Sequence, residues 1–198
     1  NFGTLSQMKR DMMAEVAATL AFSTIANNDK VGVIFFSDKI EKFIPAKKGK
    51  THVLHIIREL LSFEPQSTGT DIAQALQYFA NAQKRHCTAF LISDFIDAGN
   101  MYQPLMIASN RHEVNAIQIY DRREAELPNV GLIKFHDAET GKDIWIDTAI
   151  TSVRNNYAQA WRDNQDTIQQ LFTRTGVDHV SIRTDEDYVK ALMHLFRC

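Results

Sequence analysis

Apolar residues recur along the chain with two alternating spacings. From Leu5 to Ala26 they follow each other at three- and four-residue steps, which predicts an amphipathic helix. The next apolar run, Val31–Phe36, is almost continuous and has the length of a strand. A strand that is apolar on both faces is typical of a parallel sheet covered by helices. Helical and strand-like spacings then alternate to the C-terminus, which predicts an α/β fold.

The same patterns predict the remaining elements. Further strands are expected at Ile40–Ile44, Thr88–Ser93, Val114–Tyr120, Val130–Phe135, Asp143–Ile146 and Val177–Ile182. Further helices are expected near residues 53–61, 72–79, 102–111, 153–175 and 189–196. We therefore predict a doubly wound, mostly parallel Rossmann-like sheet with helices on both faces, plus an added β-hairpin near residues 130–147. No linker or repeat divides the chain, so residues 1–198 are expected to form a single domain.

Composition agrees with one domain and excludes several classes of partner. The chain has 198 residues, of which 44% are hydrophobic, and its net charge is −2, so it has no basic signature for nucleic acid or membrane surfaces. Its two cysteines provide no disulfide framework and no metal cluster. We expect a cytoplasmic protein. Because the chain begins at Asn1 rather than Met, the possibility of a targeting or membrane segment upstream stays open.

Polar side chains with oxygen donors occur where predicted strands end. Thr70 and Asp71 come directly before a predicted helix, and Asp94 and Asp121 each follow an apolar strand. The carboxyl ends of parallel strands meet at one edge of a sheet, where ligands commonly bind. Hydroxyl and carboxylate oxygens suit Mg²⁺. Simpler explanations stay open, since Thr70 or Asp71 could cap the helix and Asp121 could pair with a neighbouring arginine.

These stretches carry a resemblance to a known family. Val31–Ser37, Ser67–Asp71 and Leu91–Phe95 resemble the second strand, second metal loop and third metal loop of a von Willebrand A (vWA) domain. The order and spacing of further stretches resemble a bacterial branch, the domain-of-unknown-function family 58. These stretches are Asn28–Gly32, Phe36–Asp38, Phe43–Gly49, Glu126–Gly131, Asp137–Gly141 and Thr184–Tyr188. Together they cover essentially the whole chain.

The resemblance implies a metal ion-dependent adhesion site (MIDAS), in which a bound Mg²⁺ receives an acidic side chain of a partner protein. The metal ligands that it implies are Thr70 and Asp94, with Thr68, Asp71 and Asp97 as secondary candidates. Ser67, Phe95 and Asp121 are the candidate partner contacts. Members of this branch are often associated with MoxR-type AAA+ ATPases, so an adaptor for such an ATPase is the function that the resemblance implies.

The first metal loop of the vWA pattern, Asp-x-Ser-x-Ser, does not occur in residues 1–198. Asn1–Thr4 resembles the stretch that follows this motif, so the resemblance implies that the motif and its strand lie upstream. That strand is expected at the centre of the sheet. Without it, either the sheet has a gap or the remaining strands close over it. We expect residues 1–198 alone to bind Mg²⁺ weakly or not at all, because too few oxygen ligands remain.

Two other functions compete with adhesion. A Mg²⁺-dependent phosphoester hydrolase would use Asp94 and Asp97 as metal ligands, with Lys47, Lys48 and Lys50 contacting phosphate. A metal-free scaffold or oligomerisation domain would use aromatic residues such as Tyr102, Tyr120 and Trp145 at an interface. Neither a glycine-rich phosphate loop nor a Gly-x-Ser-x-Gly nucleophile motif is present. We therefore do not expect an enzyme.

Overall fold

The computed structural model describes residues 2–67, 69–96, 100–136 and 143–195. Helices and strands alternate through most of this part of the chain, as the apolar spacings predict. In chain order the elements are α1 (Phe2–Ala26), β1 (Val31–Phe36), β2 (Ile40–Lys47), α2 (Lys50–Ser62), α3 (Ile72–Ala82), β3 (Thr88–Ser93), α4 (Tyr102–Ser109), β4 (Glu113–Tyr120), α5 (Arg122–Ala125), β5 (Leu132–His136), β6 (Asp143–Asp147), α6 (Thr151–Thr175), β7 (Asp178–Arg183) and α7 (Tyr188–Leu195).

A parallel sheet in the order β3–β4–β7 forms the centre of the fold. The middle strand, β4, alternates its side chains between two apolar layers. Val114 and Ala116 pack with residues of α3, α4 and α6, whereas Ile117 and Ile119 pack with residues of α1 and α7. Because helices cover both faces, nearly all of β4 is buried. The predicted fold class, a mostly parallel sheet with helices on both faces, is confirmed.

The β1–β2 hairpin forms a sheet of its own. The two strands are antiparallel, with Val33 opposite Ile44, and they pack against α1 and α2 through a separate apolar cluster. That cluster is built on Ala21, Phe35, Ile44, Val53 and Ile56. α1 connects the two sheets, because its Val16 packs with the β4 layer and its Ala21 with the hairpin.

In the described part of the chain, β1 pairs only with β2, and β3 pairs only with β4. Each of these strands therefore has one edge without a partner strand among the described residues, and we call this absence of pairing between β1 and β3 the β1–β3 break. Both strands are largely apolar on both faces, yet both are less buried than β4. Within the described residues the β1–β2 hairpin and the β3–β4–β7 sheet are therefore not joined by strand pairing, and the predicted strand upstream of residue 1 stays a prediction.

The second hairpin, β5–β6, lies outside the parallel sheet and confirms the predicted addition. Its strands are antiparallel, with Ile133 opposite Ile146. Thr148, which is fully buried, closes its base. The Thr148 hydroxyl donates a hydrogen bond to the Gly131 carbonyl at 2.7 Å and accepts one from the Val130 N–H at 3.0 Å.

The sequence indicates where the long helix α6 ends, but it does not reveal the short helix α5. Gly176 ends α6 in the left-handed conformation, with φ of 65°, as its position after a long apolar-periodic stretch predicts. α5 was not predicted, because a single helical turn is too short to show periodicity. No helix in the described ranges is both long and apolar enough to cross a membrane.

Candidate functional site

Asp94 lies at the carboxyl end of β3, beside the β1–β3 break, and its side chain is 28% exposed. Its Oδ2 accepts a hydrogen bond from Lys9 Nζ at 2.8 Å. Lys9 belongs to α1 and was not among the residues that the sequence predicted for the site. The predicted metal ligand Asp94 is therefore already paired with a cation of the same chain.

Lys9 also binds a second carboxylate. Its Nζ lies 2.5 Å from Oε1 of Glu124, in α5, and the Lys9 side chain is only 13% exposed. Burial by itself would lower the pKa of Lys9, but Asp94 and Glu124 more than offset this effect and raise the pKa above its ordinary value. Lys9 is therefore a charged ammonium held between two carboxylates.

The backbone of Asp94 is fixed by the neighbouring strands. Its carbonyl accepts a hydrogen bond from Gln118 Nε2 at 3.2 Å, and Gln118 Oε1 accepts one from the Ser181 hydroxyl at 2.8 Å. Gln118 is buried in β4 and Ser181 lies in β7. All three parallel strands thus hold the Asp94 loop in place.

Phe95 turns the chain sharply after Asp94. Its φ is 55°, a conformation that is uncommon for a bulky residue, and its side chain is fully buried. The ring meets that of Phe172 edge-on, with the centroids 5.2 Å apart. Phe95 was predicted as a partner contact, but a side chain enclosed in the core cannot touch a partner in this conformation. The next residue, Ile96, is 59% exposed and occupies the surface beside Asp94.

The loop before α3 carries two candidate metal ligands, Thr70 and Asp71, which differ in exposure and in hydrogen bonding. Asp71 is the N-cap of α3, since its Oδ1 accepts a hydrogen bond from the Gln74 N–H at 2.8 Å. Its own N–H donates to the Ser37 carbonyl at the end of β1, at 2.8 Å. Thr70 is exposed, and so it is the member of this pair that is accessible to a ligand. Ser67 is half-buried.

Ser37 and Glu41 form a polar support for this loop that the sequence did not predict. The buried Ser37 hydroxyl donates to Glu41 Oε1 at 2.7 Å, and the same oxygen accepts a hydrogen bond from the Gln66 N–H at 3.0 Å. Gly69 packs against Asp38, because a Cβ placed on Gly69 would lie 3.2 Å from Asp38 Cβ. The turn between β1 and β2 therefore positions the loop that carries Thr70.

Asp121 has a structural task. It is buried and caps α5, accepting a hydrogen bond from the Arg123 N–H at 2.8 Å. Its other oxygen accepts one from the Thr184 hydroxyl at 3.0 Å. Glu124 completes the capping box by accepting from the Asp121 N–H at 3.1 Å. This placement argues against Asp121 as a partner contact, because both of its carboxylate oxygens are used inside the protein.

The oxygen ligands that the described residues offer are of the type that Mg²⁺ prefers, but they are too few to form a metal site. Asp94 and Thr70 carry the oxygen atoms that Mg²⁺ prefers, and Thr70 is exposed while Asp94 is partly exposed. However, Lys9 holds one Asp94 oxygen, and within the described ranges no group of three or more His, Cys, Asp or Glu side chains could hold a metal ion. Thr68 and Asp97 lie outside the described residues. A complete metal centre would need further ligands.

The lysines of the hydrolase alternative lie far from Thr70 and the loop that carries it. Lys47 pairs with Val31 at the start of β1, whereas the loop contacts Ser37 directly after the end of this strand. At about 3.3 Å per residue the length of β1 separates the two ends by roughly 17 Å. Lys48 and Lys50 are exposed beside Lys47. The hydrolase alternative pairs these lysines with Asp94 and Asp97, of which Asp97 lies outside the described residues, and it stays a hypothesis.

The aromatic residues of the scaffold alternative are dispersed. Trp145 in β6 is 62% exposed and Tyr102 in α4 is 40% exposed. Tyr120 is half-buried, and its ring is tilted by 44° against that of Trp161 of α6, with the centroids 5.4 Å apart. Tyr120 therefore belongs to the contact between β4 and α6, whereas Tyr102 and Trp145 are exposed.

A thiol and an imidazole meet at the opposite end of the parallel sheet. Cys87 Sγ lies 3.6 Å from Nδ1 of the buried His112. Burial raises the pKa of the Cys87 thiol, and burial together with the nearby His86 lowers the pKa of His112. Both shifts favour the neutral pair over a thiolate and an imidazolium. The pair therefore lacks the features of an activated nucleophile.

Two solved structures share this fold. The BatB protein of Bacteroides thetaiotaomicron aligns with 92% of this chain and 85% of its own, with a TM-score of 0.51 and 17% identity. An aerotolerance-related membrane protein of Bacteroides fragilis aligns with 93% of this chain and 89% of its own, with a TM-score of 0.54 and 16% identity. At this level of identity the likeness concerns the fold alone.

Closer relatives come from mycobacteria. An uncharacterized protein of Mycobacterium bovis is 30% identical over 193 residues, which are 96% of this chain and 60% of the relative. Another, of Mycobacterium avium, is 28% identical over 158 residues, which are 78% of this chain and 92% of the relative. The chain thus spans about 60% of the length of the M. bovis relative. Residues 1–167 match the family model described as protein of unknown function DUF58, and the chain belongs to this family.

Proposed function

We propose that this chain is the vWA-like part of a metal-dependent protein-binding module, which acts as an adaptor for a MoxR-type AAA+ ATPase. The observation that carries the proposal is the position of Asp94. It ends β3 on the edge of the parallel sheet that has no partner strand, directly beside the β1–β3 break. A first metal loop supplied by a strand in this break would lie next to Asp94.

The path of α1 supports this arrangement. Lys9, in the second turn of α1, reaches Asp94, so the N-terminal part of the helix lies near the carboxyl end of β3. A strand that led directly into α1 would end at the same edge of the sheet. Such a strand, running parallel to β3, would form a β–α–β unit with α1 and β1. Its last residues would then face Asp94 and the Thr70 loop.

A metal at this site would supply a positive charge with an open position for an acidic side chain of the partner. Asp94 and Thr70 would hold it from this chain, and Ile96 would add apolar contact beside it, because its side chain is exposed. The buried Phe95 connects the same loop to α6 through Phe172. A shift of the Asp94 loop on binding would therefore be transmitted to the helix layer.

An ATPase partner would place the domain in the cytoplasm. The structural neighbour from B. fragilis is named a membrane protein. Attachment of this domain to a membrane through a segment outside residues 1–198 would be compatible with such a role. We further propose that the chain is not an enzyme. Purified protein is accordingly expected to give no turnover of p-nitrophenyl phosphate with Mg²⁺.

Isothermal titration with Mg²⁺ tests the metal site. The full-length gene product is expected to bind Mg²⁺, and its Asp94→Ala variant is expected to lose at least tenfold in affinity because a carboxylate ligand is removed. Residues 1–198 alone should bind weakly or not at all. Asp121→Ala is a matched control, since this carboxylate serves a helix cap and its loss should leave metal affinity unchanged. Tight binding to residues 1–198, or equal affinity of the Asp94→Ala variant, would contradict the proposal.

A further inference from the structure

Exposed lysine and arginine side chains gather at the end of the molecule where β1 begins. Val31, the first residue of β1, pairs with Lys47 of β2, so the strand register brings Lys30 beside Lys47. The chain then continues directly into the first turn of α2. Six exposed cations share this end, which we call the basic edge: Lys30, Lys47, Lys48, Lys50, Lys84 and Arg85.

Lys84 and Arg85 belong to the basic edge because of the direction of α3. The helix begins beside the end of β1, where its N-cap donates an N–H to the Ser37 carbonyl at 2.8 Å. It ends beside the start of β4, where the ring of Phe79 lies 4.7 Å from that of His112. Its 11 residues span about 16 Å, close to the length of β1. The two cations that follow α3 therefore lie at the end where β1 and β4 begin.

None of these six cations is paired with a carboxylate in the part of the chain that the structure describes. The ion pairs found there belong to other cationic residues, namely Lys9, Lys42, His55, Arg122 and Arg183. The carboxylates near the basic edge are fewer than its cations: Asp29 precedes Lys30, Glu113 begins β4 and Asp178 begins β7. A surplus of positive charge therefore remains at this end, although the net charge of the chain is −2.

The opposite end of the molecule, where β1, β3 and β4 end, is rich in carboxylates. Six of them are Asp38, Glu41, Asp71, Asp94, Asp121 and Glu124. Lys9 and the arginines of α5 offset part of this negative charge. Positive and negative charge are thus separated along the direction of the parallel strands. An anionic surface would attract the basic edge rather than the end that carries Asp94.

Two exposed apolar side chains lie near the basic edge. Ala21 of α1 and Val53 of α2 are buried in one apolar cluster, but the residues that follow them, Phe22 and Leu54, are 57% and 48% exposed. Leu54 comes one helical turn after Lys50 and therefore lies on the same side of α2. The surface at this end combines ammonium groups with apolar side chains.

This combination fits the surface of a lipid bilayer with anionic headgroups. Such a surface attracts clusters of four to eight lysine or arginine residues, and its interfacial layer accepts exposed apolar side chains. A lysine ammonium is a point charge, so it pairs with phosphate without the fixed bidentate geometry of arginine. An acidic protein segment would match the cations equally well, but it would leave Phe22 and Leu54 without a role.

We propose that the basic edge, with Phe22 and Leu54 beside it, docks on a lipid surface that carries anionic headgroups. The lysine ammoniums contact headgroup phosphates, and the two apolar side chains enter the interfacial layer. The end that carries Asp94 then points away from the membrane and stays open to a protein partner. This inference is independent of the proposed metal-dependent function, because it uses neither a metal nor Asp94.

Co-sedimentation of the purified protein with lipid vesicles tests the proposal. Vesicles of phosphatidylcholine alone would be compared with vesicles in which about one third of the lipid is anionic phosphatidylglycerol. We expect binding to the anionic vesicles in about 0.05 M NaCl and at least about tenfold weaker binding in about 0.5 M NaCl, because salt screens the lysine charges. Neutral vesicles should not bind the protein.

Two charge-reversal variants locate the contact. Lys48→Glu combined with Lys50→Glu should weaken binding to the anionic vesicles by at least about twentyfold. The matched control is Arg122→Glu combined with Arg123→Glu, which changes the net charge equally but alters exposed residues of α5 at the opposite end. This control should bind within threefold of the wild type.

A third variant tests the apolar part of the surface. Phe22→Ser combined with Leu54→Ser should weaken binding to the anionic vesicles by at least about tenfold, because two apolar side chains are lost from the interfacial layer. Binding equal to that of the wild type would show that these side chains do not enter the bilayer, which contradicts the proposal.

Other results would overturn lipid docking as a whole. These are equal binding to neutral and anionic vesicles, or equal losses in the two charge-reversal variants. If the wild type fails to bind anionic vesicles but binds polyglutamate through Lys48 and Lys50, the basic edge recognises acidic protein segments instead. Should the Lys48 and Lys50 variant not fold, Lys84→Glu combined with Arg85→Glu carries the same expectation, and unchanged binding of that variant would overturn the proposal.

Discussion

Replacing Phe172 by alanine is expected to lower the free energy of unfolding by about 3–5 kcal/mol. Phe172 is fully buried in α6, where its ring meets Phe95 edge-on at 5.2 Å and lies 5.1 Å from the ring of His179. Truncation removes apolar contacts and leaves a cavity beneath the Asp94 loop. Urea denaturation followed by circular dichroism measures the loss.

Phe22→Ala is the matched control for this substitution. Phe22 lies in α1 and is 57% exposed, so its truncation should change stability by no more than about 0.5 kcal/mol. A loss below about 1 kcal/mol for Phe172→Ala would show that the α6 layer does not support the site as described. Equal losses for the two variants would contradict the assignment of Phe172 to the core.

Gly32→Ala is expected to destabilise the protein by about 2–3 kcal/mol, although it adds a single methyl group. A Cβ on Gly32 would lie 2.7 Å from the Ile44 carbonyl oxygen and 2.8 Å from the Ala46 nitrogen. Both atoms belong to the backbone of β2, so relief requires the two strands to separate. We expect a lower urea midpoint together with faster hydrogen exchange at the backbone amides of the hairpin.

The control here is Gly69→Ala. Its Cβ would lie 3.2 Å from Asp38 Cβ, so a shift of a few tenths of an ångström in this exposed loop relieves the contact, and the loss should stay below about 1 kcal/mol. If Gly32→Ala were as stable as the wild type, the close β1–β2 pairing would be wrong.

The sequence was most informative where apolar residues fill a whole strand. Val31–Phe36 and Thr88–Ser93 were both predicted with the bounds that the structure gives. Continuous apolar runs have abrupt ends, and polar residues follow each of them. The sequence did not predict which strands pair with one another, because the same apolar pattern fits a central strand and a strand with an unpaired edge equally well. The strand pairing of the structure reveals the break, and the incomplete burial of both strands agrees with it.

Two of the predicted site residues, Asp94 and Phe95, have surroundings that the sequence did not predict, and the reasons are local. Asp94 was singled out because a carboxylate that ends an apolar strand must leave the core or find a partner. Its partner, Lys9, lies 85 positions away in the sequence, and helical spacing alone does not show which charged side chain it meets. Phe95 combines a positive φ with a fully buried side chain, and this conformation has no signature in the sequence.

Asp71 and Asp121 illustrate a general difficulty with acidic residues at strand ends. Both precede helices, and both proved to be caps. A capping aspartate and a metal-binding aspartate occupy the same kind of position, so their sequences look alike. The hydrogen bonds of each oxygen distinguish the two tasks: Asp71 Oδ1 and both oxygens of Asp121 accept hydrogen bonds inside the protein.

The central claim, metal-dependent protein binding through Asp94, is tested most directly by capture of a purified MoxR-type AAA+ ATPase from the same organism. The full-length gene product and its Asp94→Asn variant would be compared without nucleotide, in Mg²⁺ and in EDTA. We predict capture by the wild type in Mg²⁺, and loss of capture both in EDTA and with Asp94→Asn. Equal capture under all of these conditions, or no capture by the wild type in Mg²⁺, would contradict the account.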